Sequence, residues 1–295
     1  MKHCSLSVAL AALLFSGAAC NSANGGPESP TAPTQSTGPI MYTAIGASDG
    51  IGIGSSAPCF PFTECPEGRG YVQILRRELV NTGRPVTHRN LSVPGSFLSR
   101  VIQDLARENG RSASEIELAG NFVERQAPFV PADATHITIF AGGNDTNVIA
   151  EAAARRAGSD VNGFIDAQVR QWGTDLNELI TRIRGRAPNA RIVALNLPNL
   201  AAAPYVASRP TSDKSVIQRV AVGLSDRVNA LSSQGVMVVD LMCDARLYQS
   251  SAYSSDGFHP GDSGYQFFAE LALPALRDGA GSTPNPNCAQ RRLFP

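Results

Sequence analysis

Thr135-His136-Ile137-Thr138-Ile139-Phe140-Ala141 runs into Gly142-Gly143-Asn144-Asp145. Ile137, Ile139 and Phe140 are apolar β-formers in a short run, the pattern of a strand. Glycine and asparagine both tolerate left-handed backbone, so the strand should end in a tight turn. The same unit recurs on both sides. Upstream, Ile40–Ile45 and 85–91 read as strands, and Tyr71, Ile74, Leu75 and Leu79 recur at helical spacing. So do Phe97, Val101, Ile102 and Leu105. Downstream, Val161, Ile165, Val169, Trp172, Leu176, Leu179 and Ile183 form the stripe of a long helix, with Trp172 as a core anchor. Then come strand Arg191–Leu195, a helix marked by Ile217, Val220, Leu224, Val228 and Leu231, strand 236–241, and a helix marked by Tyr265, Phe268, Leu271 and Leu276. Strand–helix alternation of this kind predicts an α/β fold with a five-stranded parallel sheet between helices. Ligands of such sheets bind beyond the carboxyl ends of the strands.

Three chemically suggestive segments fall at that edge. Ser48 follows the first strand, in Ile45-Gly46-Ala47-Ser48-Asp49-Gly50. Asn144 follows the third. Asp256-Gly257-Phe258-His259 follows the fifth and sets a carboxylate three residues before a histidine. A serine nucleophile needs an imidazole base, and the base needs an orienting acid. The decoys fail on context. Gly261-Asp262-Ser263-Gly264 looks like a serine-protease signature, but the helical stripes exclude a nearly all-β protease; Ser263 should cap the last helix or join its first turn. Asp133 and His136 repeat the Asp-x-x-His spacing at the wrong end of a strand. Gly50, Gly52 and Gly54 lack phosphate-loop spacing. Asp49 is expected to make a loop hydrogen bond. The chain has no His-Glu-x-x-His and no Cys-x-x-Cys, so no metal and no cofactor are expected.

Taken together these blocks resemble the SGNH (GDSL-type) hydrolases. Gly46-Ala47-Ser48 matches block I, Gly95 in Ser92-Val93-Pro94-Gly95-Ser96 matches block II, Gly142–Asp145 block III, and Asp256–His259 block V. The resemblance implies a flavodoxin-like three-layer sandwich and ester hydrolysis. It implies Ser48 as nucleophile, His259 as general base and Asp256 as its orienting carboxylate. The oxyanion hole would be the Ser48 and Gly95 N–H groups and the Asn144 amide. Ala47 stands where the family usually has Asp, which puts support of the first loop in doubt.

The termini suggest an exported protein. Met1–His3 is a short basic start, 7–15 is apolar, and Ser16–Ala19 is a small-residue cleavage region, giving a signal peptide over 1–19. Cys20 after it resembles a bacterial lipobox, with Gly17 where Leu or Val is usual; ordinary cleavage near Ala19 is the alternative. Residues 20–39 read as a disordered tether, 40–279 as the hydrolase domain, and 280–295 as a tail pinned by Cys288. With Cys4 removed and Cys20 lipidated, four cysteines remain. Three connectivities are open. Cys59 and Cys65 share one Pro-rich loop and are paired here, leaving Cys243 with Cys288. Acidic and basic residues balance at 25 each, which gives no footprint for nucleic acid.

The expected protein is therefore a periplasmic or cell-surface lipoprotein, held to the membrane by Cys20. It should act on a small-molecule, glycan or lipid ester. An O-acyltransferase working on a glycan, or a non-catalytic binding lipoprotein, are the alternatives. Tyr205, Phe60 and Phe62 are candidate walls for the acyl group, or else packing residues.

Overall fold

Five short β-forming runs make one all-parallel sheet. They are β1 (Ile40–Ile45), β2 (Val86–Asn90), β3 (His136–Phe140), β4 (Arg191–Leu195) and β5 (Met237–Val239), in the order β2-β1-β3-β4-β5. The structure is a computed structural model that describes residues 38–60, 63, 65–156 and 160–295. The expected signal segment, Cys20, most of the tether and Phe62 lie outside them. β3 and β4 are buried at every position, as central strands covered on both faces must be. β5 is shorter than the expected 236–241. Past Val239 the backbone leaves the ladder, and the N–H groups of Leu241 and Met242 both donate to Asn196 Oδ1.

The chain steps from β1 outward to β2, then returns to β3 and continues in the opposite direction to β5. Right-handed crossovers therefore place helices on both faces. α1 (Ser48–Ile51) and α2 (Tyr71–Val80) follow β1, and α2 packs against the last helix, α9 (Asp262–Asp278). α3 (Arg100–Glu108), α4 (Ala113–Ala119) and α5 (Phe122–Arg125) lie between β2 and β3. α6 (Gly143–Ala154) and α7 (Val161–Arg186) lie between β3 and β4, and α8 (Thr211–Ala230) precedes β5. α6 packs on α3, α7 and α8. The reversal of direction puts the switch point at the carboxyl end of β1, flanked by β2 and β3, which is where sheets of this class leave a crevice.

The apolar stripes are buried as expected along α2 and α7, and Trp172 is fully enclosed. The reading of α3 needs correction. Phe97 precedes the helix and bridges to Asn121, while Val101 faces outward at 40% exposure. The three short or glycine-led helices α4, α5 and α6 carry no long stripe and were not expected. Cys59 is bonded to Cys65 and Cys243 to Cys288. The tail runs back along β5, where Ser282 N–H donates to the Val238 carbonyl, and on to α8, where Gln218 binds the Leu293 and Phe294 backbone.

Candidate active site

β1 leaves the sheet at Gly46, and Ser48 opens the single-turn α1. Only 6% of Ser48 is exposed. Its Oγ lies 2.8 Å from His259 Nε2, and His259 Nδ1 lies 2.6 Å from Asp256 Oδ2. Nδ1 beside an ionised carboxylate carries the ring proton, which leaves the Nε2 lone pair for the Ser48 hydroxyl.

The Asp-Gly-Phe-His turn is built to present that carboxylate. Asp256 Oδ1 accepts from Ser254 Oγ (2.8 Å), Phe258 N–H (2.8 Å) and His259 N–H (2.9 Å), so only Oδ2 is left for the ring. Partial burial works against its ionisation. The hydrogen bonds from the His259 ring and N–H, the Phe258 N–H and Ser254 outweigh that and hold Asp256 well below the usual carboxylate range. Gly257 has φ 69°, and a Cβ there would stand 2.8 Å from Tyr205 N, so the turn requires glycine.

The other two loops converge on the same point. Gly95 follows β2 with φ 79°. Asn144 lies in the first turn of α6, and its Nδ2 donates to the Ser96 carbonyl at 3.0 Å. Among the described residues no hydrogen bond occupies the Ser48 or Gly95 N–H. Asp145, 1% exposed, ties α6 to the block II loop, because its Oδ1 accepts from Leu98 N–H (2.9 Å) and Trp172 Nε1 (3.0 Å).

Beside these groups is a pocket of ≈ 30 Å³ lined mainly by apolar side chains, Phe140, Leu197, Leu200 and Phe258 among them, with Asp49 and Gly143. Asp49 follows Ser48, Gly143 precedes Asn144 and Phe258 precedes His259, so the pocket is lined by chain neighbours of the candidate residues and not by those residues themselves. Burial raises the Asp49 carboxyl pKa, against the opposing charge of His259. Tyr205 does not line this pocket. It packs edge-on against Phe258, which in turn packs on His259, and its hydroxyl donates to Asn147 Oδ1. Phe60 is 53% exposed and outside the pocket.

The remaining decoys fall elsewhere. Ser263 is not the cap of α9, since Gly261 holds that position; the Ser263 Oγ donates to the Ser251 carbonyl at 2.6 Å. His136 sits at the amino end of β3 against Thr135 Oγ1. Among the described residues no group of three His, Cys, Asp or Glu is placed to hold a metal, and no helix is long and apolar enough to cross a membrane. Three contributors had no motif to mark them: Ser254, Gly54 and Gln126. Gly54 has φ 95°, and a Cβ there would meet His259 Cβ at 2.8 Å.

A family model described as the GDSL-like Lipase/Acylhydrolase family matches residues 45–267. Among solved structures, the lipase Lip_vut3 from a goat rumen metagenome superposes with a TM-score of 0.55 at 20% identity, over 83% of this chain and 99% of that one. Phospholipase A1 from Streptomyces albidoflavus NA297 gives 0.54 at 17% identity, over 82% and 100%. The extracellular lipase from Streptomyces rimosus gives 0.52 at 17%, over 82% and 100%. At such identities the likeness is one of fold. No curated protein matches the chain. The family match runs from the end of β1 into α9 and takes in all four loops of the site, and the chain belongs to the GDSL-like lipase/acylhydrolase family of ester hydrolases.

Proposed function

We propose that this chain hydrolyses carboxylic esters with Ser48 as nucleophile, His259 as general base and Asp256 as the acid that orients and charge-balances the imidazole. The observation that carries the reading is the continuous relay from Ser48 Oγ to His259 Nε2 and from Nδ1 to Asp256 Oδ2. Ser48 Oγ attacks the carbonyl carbon while Nε2 takes its proton. The oxyanion that forms is held by the Ser48 and Gly95 N–H groups and by the Asn144 amide, each contributing on the order of 3 kcal/mol. The tetrahedral adduct collapses, and the alcohol leaves with the proton from Nε2. Water, deprotonated by the same nitrogen, then releases the acid from Ser48.

The adjacent pocket supports a short acyl group. It is small and lined mainly by apolar side chains, a setting for a short acyl chain rather than a fatty one. Two disulfides support export to an oxidising compartment. Cys20 after a small-residue segment supports a lipid anchor there. A series of p-nitrophenyl esters from acetyl to palmitoyl tests the reading: kcat/KM is expected to be highest at two or three acyl carbons, and a maximum at long chains refutes the acyl-size assignment. Mass spectrometry of membrane-extracted protein tests the anchor, which an unmodified Cys20 rules out.

A further inference from the structure

Within the first loop's own sequence only backbone bonds fasten it: Gly50 N–H donates to the Ala47 carbonyl and Ile53 N–H to the Ser48 carbonyl. Ala47 is the N-cap residue of α1 and makes no side-chain cap. From outside, Val93 N–H donates to the Gly46 carbonyl at 3.3 Å and Asn90 Nδ2 to the Gly50 carbonyl at 2.7 Å, and from 80 positions away the loop is held by Gln126 after α5. Gln126 is 1% exposed. Its Oε1 accepts from Gly46 N–H at 3.0 Å and its Nε2 donates to the Gly46 carbonyl at 2.9 Å, so one side-chain amide closes on both backbone groups of one residue. A peptide N–H can only donate and its carbonyl only accept, which fixes the orientation of the Gln126 amide. Nε2 also reaches Ser96 Oγ at 3.3 Å.

Ser96 is the second junction. It follows Gly95, its Oγ donates to the Ala119 carbonyl at 2.5 Å, and its own carbonyl accepts from Asn144 Nδ2. A single buried amide therefore links the residue two before Ser48 to the residue after Gly95, and that residue holds Asn144. The three oxyanion donors come from loops after three different strands, so no single element fixes their mutual spacing. A shift of about 1 Å in such a set costs on the order of 100-fold in rate.

We propose that Gln126 is a positioning residue that keeps the Ser48 loop in register with Gly95 and Asn144, supplying the support that Ala47 cannot; this rests on the oxyanion-hole reading given above. Gln126 does not touch substrate, so its loss changes transition-state stabilisation and leaves ground-state binding intact.

Gln126→Met keeps the length and bulk of the side chain and removes all three hydrogen bonds. With p-nitrophenyl acetate, kcat is expected to fall about 10- to 100-fold with KM within about twofold. Inactivation by a p-nitrophenyl phosphonate, whose adduct places an oxygen among the same donors, should slow in parallel. Gln126→Glu, which when protonated offers one acceptor and one donor, should keep more of kcat than Gln126→Met. A folded Gln126→Met with kcat within about twofold of the parent, or a loss carried by KM, overturns the proposal. If Gln126→Met does not fold, Gln126→Glu decides by the same split, with unchanged kcat as the refuting result. Ser48→Ala, run alongside, separates the two readings. Activity in Ser48→Ala means the site lies elsewhere, whereas a dead Ser48→Ala beside an unimpaired Gln126→Met removes only this inference.

Discussion

His259 Nε2 stands 2.8 Å from Ser48 Oγ across 211 positions of sequence. In the proposed mechanism that pair acts as one unit, so Ser48→Ala and His259→Ala should each lower kcat by about 10⁴- to 10⁶-fold, with unchanged circular dichroism. Ser263→Ala removes only a bond to the Ser251 carbonyl and should stay within about threefold. A dead Ser263→Ala beside an active Ser48→Ala would reverse the assignment.

Gly54→Ala tests how closely the first loop backs onto the histidine turn. The new Cβ would meet the Pro260 carbonyl at 2.6 Å and His259 Cβ at 2.8 Å, on a backbone at φ 95°. The expected result is a loss of about 10- to 100-fold in kcat and about 1–3 kcal/mol in stability. Gly83→Ala is the control. Its φ of 76° imposes similar strain, but nothing lies within 4 Å of the added Cβ, so stability should drop while activity holds. Equal activity in both variants would argue against the contact with His259.

The two disulfides should separate stability from activity. Cys243 and Cys288 are 45 residues apart, Cys59 and Cys65 only 6. Chain-entropy reasoning gives about 4 kcal/mol for the long loop and about 2 for the short one. The short loop, however, backs onto α1, which carries Ser48, because Cys59 N–H donates to the Ile51 carbonyl at 2.7 Å. Replacing Cys59 and Cys65 with Ala should therefore cost more kcat than replacing Cys243 and Cys288, and less stability. Urea midpoints and kcat for both double variants decide it, and the reverse ranking counts against this account.

His88 and His136 should each take stability away as pH drops from about 6.5 towards 4. Burial lowers His88 and His136 to about 4, with Arg76 adding to this at His88 and Arg191 and Arg84 at His136. The unfolded chain binds more protons than the fold across that window, so each histidine's contribution is complete above about pH 6.5 and is lost on the way to about 4. Asp145 has the opposite sign. Burial raises it to about 6, against the Leu98 and Trp172 hydrogen bonds, and its protonation favours the fold as pH falls through that value. Asp49, whose carboxyl burial also raises, acts in the same direction as Asp145, so the histidine share is read from a variant and not from the net slope. Urea unfolding at pH 7 and pH 4.5 should show that His136→Asn keeps more of its pH 7 stability at pH 4.5 than the parent does; an unchanged difference between the two pH values contradicts the assignment.

Much of this arrangement is written locally. The runs at 40–45, 136–140 and 191–195 are strands because short β-forming segments between turns have little else to become. Trp172 and its stripe are buried because a helix with one apolar face must cover it. Strand–helix alternation then orders the crossovers, and that order brings the ends of β1, β2 and β3 together. α6 was hidden because Gly142-Gly143-Asn144-Asp145 has the composition of a turn; with Gly142 at φ 113° as N-cap, the helix begins inside that motif.

The sequence by itself therefore determined the strands, the striped helices, the sheet class and the candidacy of Ser48, Gly95, Asn144, Asp256 and His259, since each depends on residue type and distance from a strand end. Only the tertiary structure decided which of two serines and which of two Asp-x-x-His spacings meet. It alone brought Gln126 onto Gly46, closed the pocket beside Gly143 and set Gly54 against His259. Such contacts join residues 80 to more than 200 positions apart. Their geometry follows from how helices pack on both faces of the sheet, and no local pattern encodes that distance.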